Sequence, residues 1–189
     1  MTHVKDQGAC GSCWAFSAVG GLEGLSKIHD GDLQDFSEQM LVDCAYITYG
    51  NLACNGGQMY NAFAFVKAKG IVHQDQYPYV AKKQACKIST GPYKISSWTK
   101  LNNCNDLANA LVGRPVSVAV DATNWSKYGA GIFDNCATQL NHGVLLTGAT
   151  DEYWMIKNSW SAKWGIDGYI KLARGNTCGV CNDASYPNA

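Results

Sequence analysis

Apolar residues recur at steps of three and four through the first half of this chain and at steps of two through much of the second. Over residues 13–29, Trp14, Ala18, Leu22, Leu25 and Ile28 fall near one face of a predicted helix. Ser37 is placed to cap a second, short helix over 37–42. A third covers 58–69, apolar at Met59, Ala62, Phe63 and Val66, with Gly70 positioned to end it. A fourth covers 105–112 and stops before Gly113 and Pro115. Beyond it Val116, Val118 and Val120 alternate with Ser117, Ala119 and Asp121, the period of a half-buried strand. Residues 143–147, 153–157 and 169–172 read as further strands separated by Gly, Asp or Asn. Helices first and strands afterwards predict an α+β fold. A mainly helical lobe is expected over 1–95 and a β-rich lobe over 96–189. The tract 91–98 would be the crossover, and the C-terminal tail would cross back. Two such lobes leave a cleft between them, a common place for a site.

Composition narrows the picture. At 189 residues and 47% hydrophobic, the chain buries a real core and is neither disordered nor fibrous. Fifteen basic and fifteen acidic residues cancel, so charge gives no argument for nucleic acid or an anionic membrane as partner. No apolar run approaches the roughly 18 residues of a spanning helix. No basic-then-apolar leader opens the sequence, so any targeting segment is expected to have been removed, with Met1 a truncation point. Nine cysteines suit an oxidising compartment, and an odd number leaves at least one thiol unpaired. Asn124-Trp125-Ser126 fits the acceptor pattern for N-linked glycosylation, which agrees with a secretory route.

The chemistry concentrates in Gln7-Gly8-Ala9-Cys10-Gly11-Ser12-Cys13-Trp14. Cys10 and Cys13 allow three readings. Together with Cys178 and Cys181 they could supply four thiolates to zinc, yet the two halves stand at opposite ends of the chain, whereas a structural clip closes a short loop. A redox dithiol would follow a strand in a βαβ unit, and no strand-like run precedes Gln7. In the third reading Cys10 is a half-cystine and Cys13 a nucleophile at a helix N-terminus, where unpaired N–H groups and the helix dipole favour a thiolate. A nucleophilic thiol needs a base. His3, His29 and His73 stand in positions that suit solvated or structural roles. His142 differs, because it stands at the mouth of the apolar run 143–147. The stretch Lys157-Asn158-Ser159-Trp160 then offers an amide to orient the imidazole and an indole to shield that hydrogen bond.

This segment resembles the active-site segment of papain-like cysteine proteases, of the cathepsin L and papain type. His142 and Asn158 follow Cys13 by 129 and 145 positions, at or near the spacing known for the family. Cys54-Asn55-Gly56-Gly57, Asn141-His142-Gly143, Asn158-Ser159-Trp160 and Ser185-Tyr186-Pro187 match in order, so the likeness covers nearly the whole chain. It implies a papain-like two-lobe fold and an endopeptidase. Cys13 would be the nucleophile, His142 its acid–base partner, Asn158 the orienting amide and Trp160 its cover. Gln7 and the Cys13 N–H would hold the oxyanion. The resting state would be a thiolate–imidazolium pair, and cleavage would pass through an acyl-enzyme. The resemblance also pairs Cys10 with Cys54, Cys44 with Cys86, and Cys136 with Cys178. Cys104 and Cys181 would then form a fourth bridge or remain two inert thiols.

The same alignment sets out the substrate groove. Gly56, Gly57 and Asn141 belong to the binding cleft. Met59, Ala119 and Leu140 would line the apolar second pocket, with Gln58 at its edge and Asp183 at its floor. That pocket is expected to take Leu, Phe or Val; Asp183 either adds tolerance for Arg and Lys or turns to solvent. The short stretch 45–53 has no room for an occluding loop, which favours an endopeptidase. Ser161 stands where a glycine commonly follows Asn-Ser-Trp, and the Asp-Trp-Arg segment that usually opens such chains is not in the sequence. Expected partners are peptide and protein substrates, an inhibitory propeptide and cystatin-like inhibitors. The chain is expected to be a monomer without metal or other cofactor, in a lysosome, a vacuole or the extracellular space.

Overall fold

The structure is a computed structural model that describes residues 1–189. Four α-helices and a seven-stranded sheet build it: α1 Cys13–Leu25, α2 Glu38–Cys44, α3 Met59–Lys69, β1 Ser97–Leu101, α4 Cys104–Leu111, β2 Val116–Val120, β3 Ile132–Phe133, β4 His142–Ala149, β5 Tyr153–Lys157, β6 Tyr169–Ala173 and β7 Ala184–Asn188. The strands run in the order β1-β7-β2-β4-β5-β6-β3. All pairings are antiparallel except that of β3 with β6.

Two apolar cores form. The first packs α1, α2 and α3 with Trp14, Leu22, Phe36, Met40 and Phe63 at its centre. The second gathers Val116, Val118, Leu146, Trp154, Ile156 and Ile170 from the sheet, with Leu107 of α4. Helix α1 is buried along nearly its whole length, because α3 covers one side and β4 the other. Gly20 and Gly24 make that sandwich possible. A Cβ at Gly20 would come within 2.8 Å of Leu145 Cδ2, and one at Gly24 within 2.3 Å of Pro115 Cγ. Each glycine weakens the isolated helix by roughly 1 kcal/mol relative to Ala. Tertiary packing outweighs that cost.

The caps follow the side chains. The N–H of Met40 donates to Ser37 Oγ at 3.0 Å, and the N–H of Asp106 donates to Asn103 Oδ1 at 2.8 Å. Gly70, with φ +78°, ends α3 as expected and donates its N–H to Val66 O at 2.9 Å. The first helix departs from expectation. Its α-helical part stops at Leu25, and a π-helical turn over Ser26–Asp30 runs into Gly31 at φ +78°. The wider turn breaks the 3.6-residue phase, so Ile28 leaves the buried face and is 56% exposed.

Three strands were not expected. β1 occupies the end of the tract read as a crossover and pairs with β7, the returning C-terminal tail. Their sequences, Ser-Trp-Thr-Lys-Leu and Ala-Ser-Tyr-Pro-Asn, lack a clean alternation, because β1 is a half-exposed edge and β7 carries Pro187. β3 is only two residues long. The segment before Gln7 is tied down: Gln7 N–H donates to Ser159 O at 2.9 Å and Ser161 N–H to Lys5 O at 3.0 Å.

Disulfides join Cys10–Cys54, Cys44–Cys86, Cys136–Cys178 and Cys104–Cys181. The fourth bridge therefore forms, and Cys13 is the one free cysteine. Cys10, Cys178 and Cys181 are thus spent on separate bridges, which removes the four-thiolate zinc reading and the redox pair together. No group of three or more His, Cys, Asp or Glu side chains is arranged to hold a metal ion. No helix is long and apolar enough to cross a membrane.

Candidate active site

Cys13 is the first residue of α1, and Ser12 before it makes no side-chain cap. The free N–H groups of the first turn therefore remain for other acceptors. The N–H groups of Cys13 and Trp14 act on Sγ, and the N–H of Gly143 approaches it at 3.4 Å from the opposite lobe. Burial is the larger influence and pushes the thiol above its ordinary range, while these N–H groups pull it down.

His142 opens β4 and Asn158 directly follows β5, two antiparallel neighbours in the sheet. Pairing of the strands brings the imidazole and the amide together, with Nε2 2.8 Å from Asn158 Oδ1. The same Oδ1 accepts the Ser159 N–H at 2.8 Å. An oxygen is required there, so the amide orientation is fixed, and Nε2 must carry the proton it donates. In the neutral ring Nδ1 is then the free lone pair. Trp160 lies over the ring with centroids 4.8 Å apart, and Trp125 meets its edge at 6.1 Å. This enclosure strips water from the imidazole, and burial pulls its pKa down to about 4 against a weaker upward pull from Asn158.

Burial thus opposes a thiolate or an imidazolium taken singly. Moving the proton from Sγ to Nδ1 changes neither net charge nor proton count, and each new charge offsets the cost of burying the other. Burial of both groups favours one shared proton over two independent ionisations.

The cleft around Cys13 encloses about 230 Å³. Gly56, Gly57, Gln58 and Met59 line one wall; Ala119, Leu140, Asn141, His142, Gly143 and Asp183 line the other. Every groove residue expected from the sequence therefore reaches the same cleft. Asn141 contributes less side chain than its position suggests, because Oδ1 accepts from Ala122 N–H at 2.9 Å and Nδ2 donates to Thr123 Oγ1 at 2.9 Å. Asp183 stands on a border: it also lines a neighbouring hollow with Lys100 and Asn182. The Cys10–Cys54 bridge and the hydrogen bond from Gly11 N–H to Cys54 O, 2.9 Å, pin the Gly56–Gly57 wall to the start of α1.

Gln7 sits behind Cys13. Its Nε2 donates to Cys10 O at 3.0 Å while its Oε1 accepts Ser159 Oγ at 2.7 Å. These two bonds set the amide so that its second Nε2–H remains for another acceptor. Tyr79 extends the network, donating to Gln7 O and lying 2.7 Å from Ser12 Oγ. Sequence reasoning missed Gly143 as a donor to Sγ, Ser159 as the clamp on Gln7, Trp125 against the imidazole, and Tyr79. Ser159 and Gly143 were adjacent to residues already marked, whereas Tyr79 and Trp125 carry no pattern of their own. Asn124 is exposed and its Nδ2 donates to Asn135 O at 3.0 Å, while Trp125 beside it is fully buried.

Fold and site together define a two-lobed α+β protein in which a thiol, an imidazole and an amide converge on the cleft between two cores. The family described as "Papain family cysteine protease" matches residues 1–188, and the chain belongs to that family. It is similar to Cathepsin L 2 of Paramecium tetraurelia, 48% identical over 187 residues that cover 97% of this chain and 59% of that protein. The chain thus spans well under two thirds of that relative's length. A Carica candamarcensis cysteine protease, CMS1MS2, solved in complex with E-64, superposes with a TM-score of 0.93 at 36% identity, covering 100% of this chain and 93% of that one. Digestive procathepsin L 3 of Tenebrio molitor larval midgut also gives 0.93 at 39% identity, covering 100% of this chain and 67% of that one. The papain-like fold is shared.

Proposed function

We propose that this chain is a cysteine endopeptidase in which Cys13 attacks, His142 moves the proton, Asn158 orients the ring and Gln7 helps hold the oxyanion. His142 takes the Sγ proton on Nδ1, and the thiolate adds to the peptide carbonyl carbon. Charge on the carbonyl oxygen is met by the free Nε2–H of Gln7 and the Cys13 N–H. The imidazolium returns its proton to the departing amide nitrogen as the C–N bond breaks, leaving a thioester. Water, deprotonated by the neutral imidazole, then adds to that thioester; the C–S bond breaks and the carboxylic acid leaves. The observation that carries this reading is the 2.8 Å contact of His142 Nε2 with Asn158 Oδ1, beside the sole free thiol.

The second pocket is read as apolar through Met59, Ala119 and Leu140, favouring Leu, Phe or Val, with Asp183 drawing Arg or Lys. The chain acts as a monomer on peptides and proteins, in a lysosome, a vacuole or outside the cell. Its likeness to a procathepsin and to a protease crystallised with E-64 supports control by a propeptide and inhibition by E-64; cystatin-like inhibitors are the further partners proposed for the same cleft. Dipeptidyl fluorogenic substrates test the reading. Cys13→Ser is expected to lose activity by several orders of magnitude, and Asp183→Ala to lose turnover on Arg substrates while keeping Leu. Unchanged cleavage by Cys13→Ser would overturn the nucleophile; an equal Leu-to-Arg ratio in parent and Asp183→Ala would overturn the charged floor.

A further inference from the structure

A second, smaller cavity of about 30 Å³ lies on the far side of Asn158 from the cleft, between α1 and the strands β4 and β5. Asn158 and Ser159 form one wall, and a buried ion cluster forms another. Lys5 Nζ stands 2.6 Å from Glu38, 2.7 Å from Asp35 and 3.4 Å from Glu23. Glu38 takes two short bonds, since its second oxygen accepts Gln74 Nε2 at 2.7 Å. Glu23 is held more loosely: its contacts are longer, 3.4 Å to Lys5 and 3.1 Å to the Thr2 hydroxyl. Burial pushes the Glu23 carboxyl up to about 8, against the pull of Lys5.

The Asn158 amide supplies the other half. Two donors occupy Oδ1, so Nδ2 must point away from His142. The residue is 3% exposed, and Nδ2 has no protein partner. Buried donors of that kind are nearly always paired, with ordered water where protein atoms do not reach. A cavity holds about one water per 10–15 Å³ of such volume, so this one has room for about two. A donor without a partner and an acceptor with spare capacity face the same small space.

We propose that this cavity is a built water site linking Asn158 Nδ2 to the Glu23 carboxyl, which makes Glu23 a positioning residue for His142. A water there accepts from Nδ2 and donates onward toward Glu23. Rotating the amide by half a turn would set Nδ2 against the Nε2–H of His142 and break the water bond as well, so the anchor holds the acceptor oxygen on the imidazole. This inference rests on the reading of Asn158 as the orienting amide.

Two measurements test it. In a high-resolution crystal structure of wild type blocked at Cys13, one or two waters are expected within hydrogen-bond distance of Asn158 Nδ2, one of them reaching Glu23. A dry cavity overturns the proposal, and this arm does not depend on any variant folding. Kinetics of Glu23→Met, which removes the acceptor at similar side-chain length, of Asn158→Ala and of the double variant give the second arm. Glu23→Met is expected to lower kcat about three- to tenfold with KM unchanged, and the double variant to be no slower than Asn158→Ala alone, since both act through one amide. If Glu23→Met has no effect, or adds independently to Asn158→Ala, Glu23 plays no part through Asn158 and the inference fails while the role of Asn158 stands. If Asn158→Ala leaves kcat unchanged, it is the orienting role of the amide that fails.

Discussion

Deleting the imidazole should leave Cys13 a slow nucleophile in acid and a fast one in base. In His142→Ala the thiol keeps its burial and loses the one group able to take its proton. The remaining influences on Sγ are the N–H groups of Gly143, Trp14 and Cys13, none of them a cation, and burial outweighs them, raising the thiol above its ordinary value of 9.0. At pH 5 its ionised fraction is then about one in ten thousand or less. With the proton shared as proposed, the parent holds most of its sulfur as thiolate there. Per thiolate the variant is the better nucleophile, because reactivity rises with basicity, but only as roughly the half power of the change in acidity. The thiolate deficit therefore wins, and alkylation about a hundredfold slower than the parent is expected at pH 5. At pH 10 the order should invert.

The assay is the rate of loss of Cys13 by an uncharged haloacetamide from pH 4 to 10, followed by mass spectrometry on native protein. Crossing pH–rate curves are the expected signature. Parallel curves, with parent and variant both rising only above pH 8, would refute the shared proton. The mirror experiment removes the sulfur. In Cys13→Ser the imidazole has no anion to stabilise its charge, and nitrogen-15 NMR should show His142 titrating at about 4, where burial has pulled it. A midpoint near the unperturbed value would show that the ring is wetter than its enclosure by Trp160 and Trp125 implies.

Two further outcomes follow from the backbone and the bridges. Ser161 sits at φ +74°, a left-handed conformation that costs an L-residue about 1–2 kcal/mol. Ser161→Gly relieves it, less the extra unfolded-state entropy of glycine and the bond from Lys163 N–H to Ser161 Oγ, so a net gain of about 0.5–1 kcal/mol is expected in urea denaturation of Cys13-blocked protein; a loss would mean that the serine hydroxyl matters more than the backbone. The Cys104–Cys181 bridge closes the longest loop, 77 residues against 42 to 44 for the others. Replacing both cysteines by Ser should cost up to about 4.5 kcal/mol by loop entropy, and a midpoint shift smaller than for Cys136 and Cys178 would argue against the entropic account.

What the sequence could show divides by how local the signal is. Cys13, His142 and Asn158 were legible because each sits in a short pattern with its own local geometry: a helix start, a strand start, a strand end. The groove residues were legible only through family resemblance, since nothing in Ala119 or Leu140 taken alone marks a cleft. Ile28 was misplaced because a change from α to π winding leaves no trace in a periodicity of apolar residues. β1 and β7 were missed because neither alternates cleanly: β1 is a half-exposed edge, and β7 is buried at successive positions that include a serine and a proline. The Lys5, Glu23, Asp35 and Glu38 cluster was invisible for the opposite reason. Charged residues scattered over more than thirty positions read as solvated surface, and only the fold brings three of them to one lysine.

Cys13 opens a helix of one core and His142 a strand of the other, so the site is only as well placed as the seam between them. That seam is polar at its centre. Ser17 of α1 donates to Val144 O at 2.7 Å, and Ser117 of β2 donates to Ser17 O at 3.0 Å, both buried. Gly20 brings the helix against Leu145 one turn further along. An apolar seam of the same area would hold the lobes together but permit sliding, because apolar contact is indifferent to small shifts. Hydrogen bonds at fixed distances are not indifferent, and they lie one turn from Cys13 and two residues from His142. The pairing of Lys5 and Gln7 with Ser161 and Ser159 locks the other end of the same register. The chain therefore fixes the distance from sulfur to imidazole with buried polar contacts behind the cleft, which leaves the cleft walls free to be shaped by what they bind.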